Sequence, residues 1–265
     1  MKTQTTPAKF RDFLIVLHSD LVVSQSNATA GQHQSLDYLP GSNLLGLAAQ
    51  RGYTRLDPDT AWAVFHSGHV RFGDALPLTA NNQCTWPISL SFHHFKGETT
   101  EKTQGKLDPR RIFDPTQNSG ETDQRKQPEQ FRKGYISADG AHLKIRMGSR
   151  MKTAIEAETA RAAESQLFGY QAITQGQRFV FRLEADNAIS PATFDQVVHW
   201  LTGPARLGRS RSAQYGRAEI LPFDQGWQWP AMDDDSEHLT LWLMSDLSLI
   251  DHNGQPTFRP EGWMF

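Results

Sequence analysis

Arg209, Arg211 and Arg217 stand in the stretch L-G-R-S-R-S-A-Q-Y-G-R, residues 207–217, among Gly208, Ser210, Ser212, Tyr215 and Gly216 and without a carboxylate. A guanidinium forks onto phosphate oxygens, and glycines let backbone amides approach an anion closely. The chemistry on offer is a polyphosphate grip. The same composition also suits a twisted hairpin whose arginines face water, and the local sequence leaves both readings open. A second basic run follows the same logic more loosely. Arg132, Lys133, Lys144, Arg146, Arg150 and Lys152 face only Asp139 between residues 130 and 152. It reads equally as a solvated loop.

Other residue types allow other chemistry, and their spacing argues against most of it. His66, His69, His93 and His94 with Cys84 offer zinc ligands, but Cys84 has no Cys-x-x-Cys partner and the spacing matches no paired-ligand template. The acidic run at residues 233–235 reads as a solvated turn, because successive carboxylates on a strand alternate faces. Phosphate-binding Walker loops, dinucleotide fingerprints and serine-nucleophile elbows are missing, so nucleotide hydrolysis finds no support.

These groups sit in a chain of 265 residues with net charge −2 and 38% hydrophobic residues. That length supports one elaborated domain or two small ones. A slightly acidic chain is no general polyanion binder, so a nucleic-acid site must be a local patch. With 20 glycines and 14 prolines, much of the chain is expected in loops. The lone Cys84 cannot form an internal disulfide, which favours a reducing compartment, and no apolar run approaches a membrane span. The expected setting is cytoplasmic, without a membrane partner.

The elements that must position the basic loop can be read from periodicity. Residues 13–23 form a first strand, interrupted by His18, Ser19 and Asp20. A polar loop, 24–35, leads to L-D-Y-L-P-G-S-N-L-L-G, residues 36–46. There Pro40-Gly41 turns, Ser42 is the expected N-cap, and Leu44, Leu45, Leu47 and Ala48 supply a helix face. A short helix over 59–65 and a strand over 70–76 follow. Residues 97–150 are polar and read as an inserted, protruding loop. Strands return at 167–173 and at 178–186, where Phe179, Phe181, Leu183 and Ala185 alternate with polar or opposite-facing residues. Ser190 caps and Pro191 opens a helix that Gly203-Pro204 ends. The basic loop comes next, then a strand near 218–221. A last strand, 239–250, runs into the turn signal Asp251-His252-Asn253-Gly254, with little chain left for a return. The outline is strand–helix–strand, insertion, strand–helix–strand, an α+β ferredoxin-like (RRM-like) sandwich. The corresponding division is 1–96 for the first half of the core, 97–152 for the basic insertion, and 153–265 for the second half.

Three segments, in order, carry a family likeness. L-D-Y-L-P-G-S-N-L-L-G resembles the "I-P-G-S-S-L-R-G" element of the RAMP (repeat-associated mysterious protein) superfamily of CRISPR–Cas proteins. L-F-G-Y-Q-A-I-T-Q-G-Q-R-F-V-F, residues 167–181, is similar to the strand pair before the loop of large type III RAMP subunits, and residues 207–217 resemble the family's glycine-rich loop. The nearest resemblance is to the RAMP subunit of type III-D effector complexes, in the group that holds the 5′ handle of CRISPR RNA. It implies an RRM-like fold in which Gly208, Arg209, Ser210, Arg211, Ser212, Tyr215 and Gly216 cradle guide-RNA phosphates. Gly41, Ser42 and Asn43 would line the same path with free amides of a helix start. Arg132, Lys133, Lys144 and Arg146 would belong to a thumb-like projection. Tyr215 and Tyr135 are base-stacking candidates by residue type, and each suits a buried or turn-forming role at least as well. Implied partners are crRNA, the large subunit and the backbone RAMP subunits of a type III complex, and target RNA indirectly. Two departures stand out. Leu45 occupies a position often held by Arg, and type III-D relatives continue well past residue 265. The latter suggests a shortened version, a split subunit or a truncation.

Some RAMP proteins cut RNA, so two catalytic routes are carried as alternatives. In one, His18 or His33 acts as general acid or base on a 2′-hydroxyl, processing crRNA. In the other, Asp37 (or Asp20) supports metal-assisted cleavage of target RNA, which would make a divalent ion the only cofactor. Asp37 can equally brace the Pro40-Gly41 turn. The favoured reading is a noncatalytic RNA-binding subunit with no cofactor.

Overall fold

The computed structural model describes residues 9–25, 34–100, 105–115, 126–155, 162–209, 214–227, 242–245 and 247–259, with residues 150–155 and 162–168 given by backbone alone. Two units divide the chain, Met1–Pro230 and Ala231–Phe265.

The first unit is organised by β1 (Lys9–Leu17) and β11 (Arg178–Ala185), which pair antiparallel with Phe13 opposite Phe181 and Ile15 opposite Phe179. Alternation turns Phe13, Ile15, Leu17, Phe179, Phe181 and Leu183 to one face, where all are buried. That face receives two helices, α1 (Gly41–Gly52) and α3 (Pro191–Leu201). Leu44, Leu47 and Ala48 of α1 and Phe194, Val197 and Leu201 of α3 complete one core with the strands. Strands β2 (Val70–Phe72) and β3 (Leu76–Pro77) pair antiparallel with β11. On the other side, β13 (Arg217–Pro222) pairs antiparallel with β1, and β12 (Gly203–Arg206) pairs antiparallel with β13. The order β12-β13-β1-β11-β2 is therefore built from two interleaved strand–helix–strand halves in a mixed α/β arrangement with an antiparallel sheet.

Local signals account for the helices. Ser190 Oγ accepts from Thr193 N at 3.1 Å and Pro191 opens α3, as the sequence predicts. In α2 (Pro58–Phe65), Asp57 Oδ1 accepts from Thr60 N at 3.0 Å. The start of α1 differs from expectation. Pro40 is the N-cap residue, without a side-chain cap bond, and Ser42 already lies inside the helix. The cap comes from elsewhere in the chain: Gly41 N donates to Asp74 Oδ1 at 2.7 Å. Between the helices, Gly52 lets α1 approach the Trp200 ring so closely that a Cβ there would collide with it. Arg51 then donates to the carbonyls of Trp200 at 2.7 Å and of Pro204, which ties the end of α3 to the start of β12.

The sheet face opposite the helices is partly covered. Asp12 and Arg182 form a bidentate pair there, with Nε–Oδ1 at 2.7 Å and Nη2–Oδ2 at 2.9 Å. Trp227 N also donates to Asp12 Oδ2 at 2.9 Å, while Leu78, Cys84, Val180 and Phe223 form a small apolar cluster.

Residues 97–150, expected as a protruding polar loop, contain more order than their polarity predicts, part of it paired with short strands that precede residue 97. β4 (Thr85–Pro87), β7 (Tyr135–Ser137) and β8 (His142–Leu143) make a three-stranded sheet, and β5 (His93–Phe95) pairs with β6 (Pro128–Gln130). Ile88, Leu107 and Phe131 are buried together, with Phe92, Ile112 and Ile136 against them. These apolar residues lie too far apart in sequence to show a period, and antiparallel pairing gathers them. A long hairpin, β9 (Met147–Ile155) with β10 (Ala162–Ile173), returns the chain to the main sheet.

Within the second unit, β14 (Leu249–Ile250) and β15 (Pro256–Thr257) pair across the turn anticipated at 251–254. Asp251 Oδ1 accepts from Asn253 N at 2.8 Å and Gln255 N at 2.9 Å. Of the long strand expected over 239–250, residues 239–241 and 246 lie outside the described residues, and the described strand is Leu249–Ile250.

Candidate nucleic-acid interface

The two ends of the glycine-rich loop are closed on each other and on the segment after β1. Leu207 N donates to Gly216 O, Arg209 N to Val22 O, and Gly216 N to Asp20 O, each at 2.8 Å. Gly208 (φ +69°) and Gly216 (φ +76°) occupy left-handed backbone, and a Cβ would strike the Val22 carbonyl at the first and the Leu207 carbonyl at the second. The glycines therefore serve closure of the loop base. Ser19 Oγ accepts from Arg217 N at 2.9 Å and His18 N donates to Arg217 O at 2.8 Å, fixing the chain as it leaves the loop. Residues Ser210, Arg211 and Ser212 lie outside the described residues.

Tyr215 takes the buried alternative. It is 1% exposed and packs with Val22, Ala172 and Tyr170, so in this conformation its ring offers no face to a base. Its large buried ring anchors the loop base.

The same end of the sheet gathers a further basic residue through a relay of backbone and side-chain hydrogen bonds. Gly176 N donates to Leu17 O at 2.8 Å, and Gln175 N to Asp20 Oδ1 at 3.0 Å, tying the β10–β11 turn to the segment that holds the loop. Gln177 Oε1 accepts from Arg146 N at 2.9 Å, and Thr174 N donates to Arg146 O at 3.0 Å. Arg146, Arg209 and Arg217 are thus positioned by one connected network and are exposed. Their guanidinium groups make no ion pair among the described residues, in contrast to Arg182 on Asp12 and Arg71 on Glu184. Glu219, the acidic residue beside them on β13, is engaged by His18, with Nε2–Oε2 at 3.4 Å. Arg178 is occupied by the carbonyls of Thr79 and Ala80. The arrangement can bind an anion along the end of β1, β11 and β13, in the manner of a phosphate track.

Other expected residues lie on other elements. Arg132 and Lys133 are exposed between β6 and β7, and Lys144 is exposed just after β8. At the α1 start, Gly41 is buried, its amide is taken by the Asp74 carboxylate, and Asn43 N donates to Pro40 O at 2.9 Å. The expectation of free amides is corrected at these two positions, because a carboxylate and a carbonyl already occupy them. A Cβ at Gly41 would also collide with the Phe72 carbonyl, so the Pro-Gly pair answers to close packing. Tyr135 is 4% exposed and cannot stack with a base in this conformation. Its Oη donates to Asp37 Oδ1 at 2.9 Å, and burial, followed by the Asp37 charge, pushes the phenol far above its usual range. Asp37 therefore braces the turn into α1 from β7.

His18 is half exposed beside the loop base, whereas His33 and the acidic run at 233–235 lie outside the described residues. The zinc candidates are dispersed. His69 Nδ1 lies 2.8 Å from Asp186 Oδ2, His66 Nε2 3.2 Å from Tyr53 Oη, and Cys84 is buried. Among the described residues, no three His, Cys, Asp or Glu side chains form a group that could hold a metal ion. Sequence reading missed Asp74 as the partner of Gly41 and Glu219 as the partner of His18. Both contacts join segments remote in sequence, and neither carries a local signal.

No protein-family model matches the chain, and no curated protein matches it. Among solved structures it is similar to a chain of the type III-B Cmr-beta complex in the apo state, at 11% identity and a TM-score of 0.46, covering 81% of this chain and 97% of that one. It is similar to a chain of the same complex bound to cognate target RNA, at 12% identity and a TM-score of 0.48, with the same coverages of 81% and 97%. A chain of a type IV-B CRISPR complex is similar at 13% identity and a TM-score of 0.44, covering 88% of this chain and 96% of that one. Among the described residues no helix is long and apolar enough to cross a membrane.

Proposed function

We propose that this chain is an RNA-binding, noncatalytic subunit of a CRISPR–Cas type III effector complex, of the type III-D RAMP kind, that holds the repeat-derived 5′ handle of crRNA. The fold reading that goes with it is ferredoxin-like, since the two strand–helix–strand halves interleave with antiparallel neighbours. One observation carries the site: the loop base closed by Gly208 and Gly216 stands beside the exposed Arg146, Arg209 and Arg217, whose guanidinium groups make no ion pair among the described residues. Guanidinium groups without internal partners are available to phosphates, whereas paired ones are not. The family resemblance of the three ordered segments supplies the identity of the RNA. Lys144, Arg132 and Lys133 extend the basic surface in this reading, along with Ser210, Arg211 and Ser212 of the loop. Ser42 and Asn43 are kept as residues beside the path.

The experiment is to purify the complex with its native array through a tag on this chain and sequence the RNA that crosslinks to it. Crosslinks at one shared 5′ repeat-derived handle support the proposal. Crosslinks at regular spacer intervals would instead make it a backbone subunit. Replacing Arg209 and Arg211 together with Ala should weaken guide retention and lower the salt slope of binding by about one unit per lost phosphate contact. An unchanged slope would remove the loop from the interface.

A further inference from the structure

α2 carries an exposed aromatic surface that the RNA reading does not use. Trp62 is 62% exposed and Tyr53 43% exposed. The Trp62 ring lies on the His66 imidazole, with centroids 5.2 Å apart and planes 20° from parallel. Tyr53 meets the same imidazole edge-on at 5.8 Å and 89°, with its Oη 3.2 Å from His66 Nε2. His66 is thus held by two aromatic neighbours and backs the indole, while the high exposure of Trp62 leaves the other side of the ring to solvent. Trp62 and Tyr53 together make an exposed aromatic patch, the kind of surface that marks an interaction site.

The charges around it select the ligand. Asp59 precedes Trp62 by three residues on the same helix, which places the two side chains as neighbours. Asp59 is exposed and, among the described residues, makes no ion pair or side-chain hydrogen bond. Asp57, which caps the helix, adds a second carboxylate whose pKa is held below the usual range by the Thr60 amide. Arg55 is the only cation in residues 53–65. Carboxylates next to an aromatic face repel phosphates and attract a cation, and a planar guanidinium can stack on indole while donating to a carboxylate. We infer that α2 is a docking platform for an arginine side chain of a partner protein, stacked on Trp62 and hydrogen-bonded to Asp59. This site stands independently of the RNA grip.

The test follows the Trp62 indole N–H resonance of the full-length protein, identified by its loss in Trp62→Phe. Acetyl-Gly-Arg-Gly-amide should shift it saturably with half-saturation at roughly millimolar concentration, as expected for one cation–π contact with one screened ion pair. Asp59→Asn, with an unchanged melting temperature, should raise the half-saturation about threefold. The glutamate counterpart of the peptide should leave the resonance in place. If hexauridylate shifts the resonance and the arginine peptide does not, the surface is a base-stacking platform and the inference is wrong. A resonance that no probe moves overturns it as well. Arg209→Ala with Arg211→Ala should leave the peptide titration unchanged, which separates this test from that of the RNA reading.

Discussion

At Gly216 the backbone stands at φ +76° with the Leu207 carbonyl where a side chain would begin. Gly216→Ala should therefore cost at least about 1–2 kcal/mol and open the loop base, read as a lower melting temperature together with faster hydrogen exchange at the Leu207 amide. Asp139 makes a second prediction at this scale. Its carboxylate accepts from Lys106 and from Ser137, which depress its pKa to about 2. Because the folded value lies below the ordinary one, the brace is fully present above the ordinary carboxylate range and is lost as pH falls towards 2. Carboxyl carbon shifts should show Asp139 titrating near pH 2, and Lys106→Ala should move that midpoint upward. Single residues were legible in the sequence only where their meaning is local. Gly208 and Gly216 announce unusual backbone by type, but Tyr215 and Tyr135 do not announce burial. A tyrosine in a polar loop reads the same whether it faces water or, as here, is buried at the loop base or bonded to Asp37.

Among the elements, β1 and β11 are fastened by more than their ladder. Asp12 is buried and holds both Arg182 and the Trp227 amide. Asp12→Ala strands the Arg182 charge and the Trp227 N–H together, and should destabilise the protein by about 3–5 kcal/mol in urea unfolding. Combining it with Arg182→Met should recover much of the loss, since an apolar pair leaves no uncompensated charge. Alternation exposed β11 to sequence reading, and the Ser190-Pro191 pair exposed α3. β12 escaped because Gly203-Pro204 is a helix stop whose sequel has no period, and a four-residue strand acquires its identity from β13. The short strands β4 to β8 escaped for a related reason. Leu107, Phe131 and Ile136 become a cluster only after distant segments pair.

For the molecule as a whole, alternation and helix caps carried the order of strand–helix–strand halves, while the convergence of Arg146 with the glycine-rich loop was not legible. That convergence runs through Gln177, Thr174 and Asp20, whose polar side chains fit many roles. The outer border of the main sheet bears on the behaviour of the whole chain. Leu207 donates inward to Gly216, so alternation turns the backbone groups of Pro204 and Arg206 outward. Pro204 has no N–H to offer, and Arg51 occupies its carbonyl. Arg51→Ala should leave that border open and produce concentration-dependent self-association, measurable by light scattering, whereas Arg51→Lys should suppress it in part. The blocking group belongs to α1, the same helix whose Gly52 rests on Trp200. Undocking of α1 would therefore bare a sticky seam and an apolar core in a single step, so that resistance to aggregation and helix docking rise and fall together.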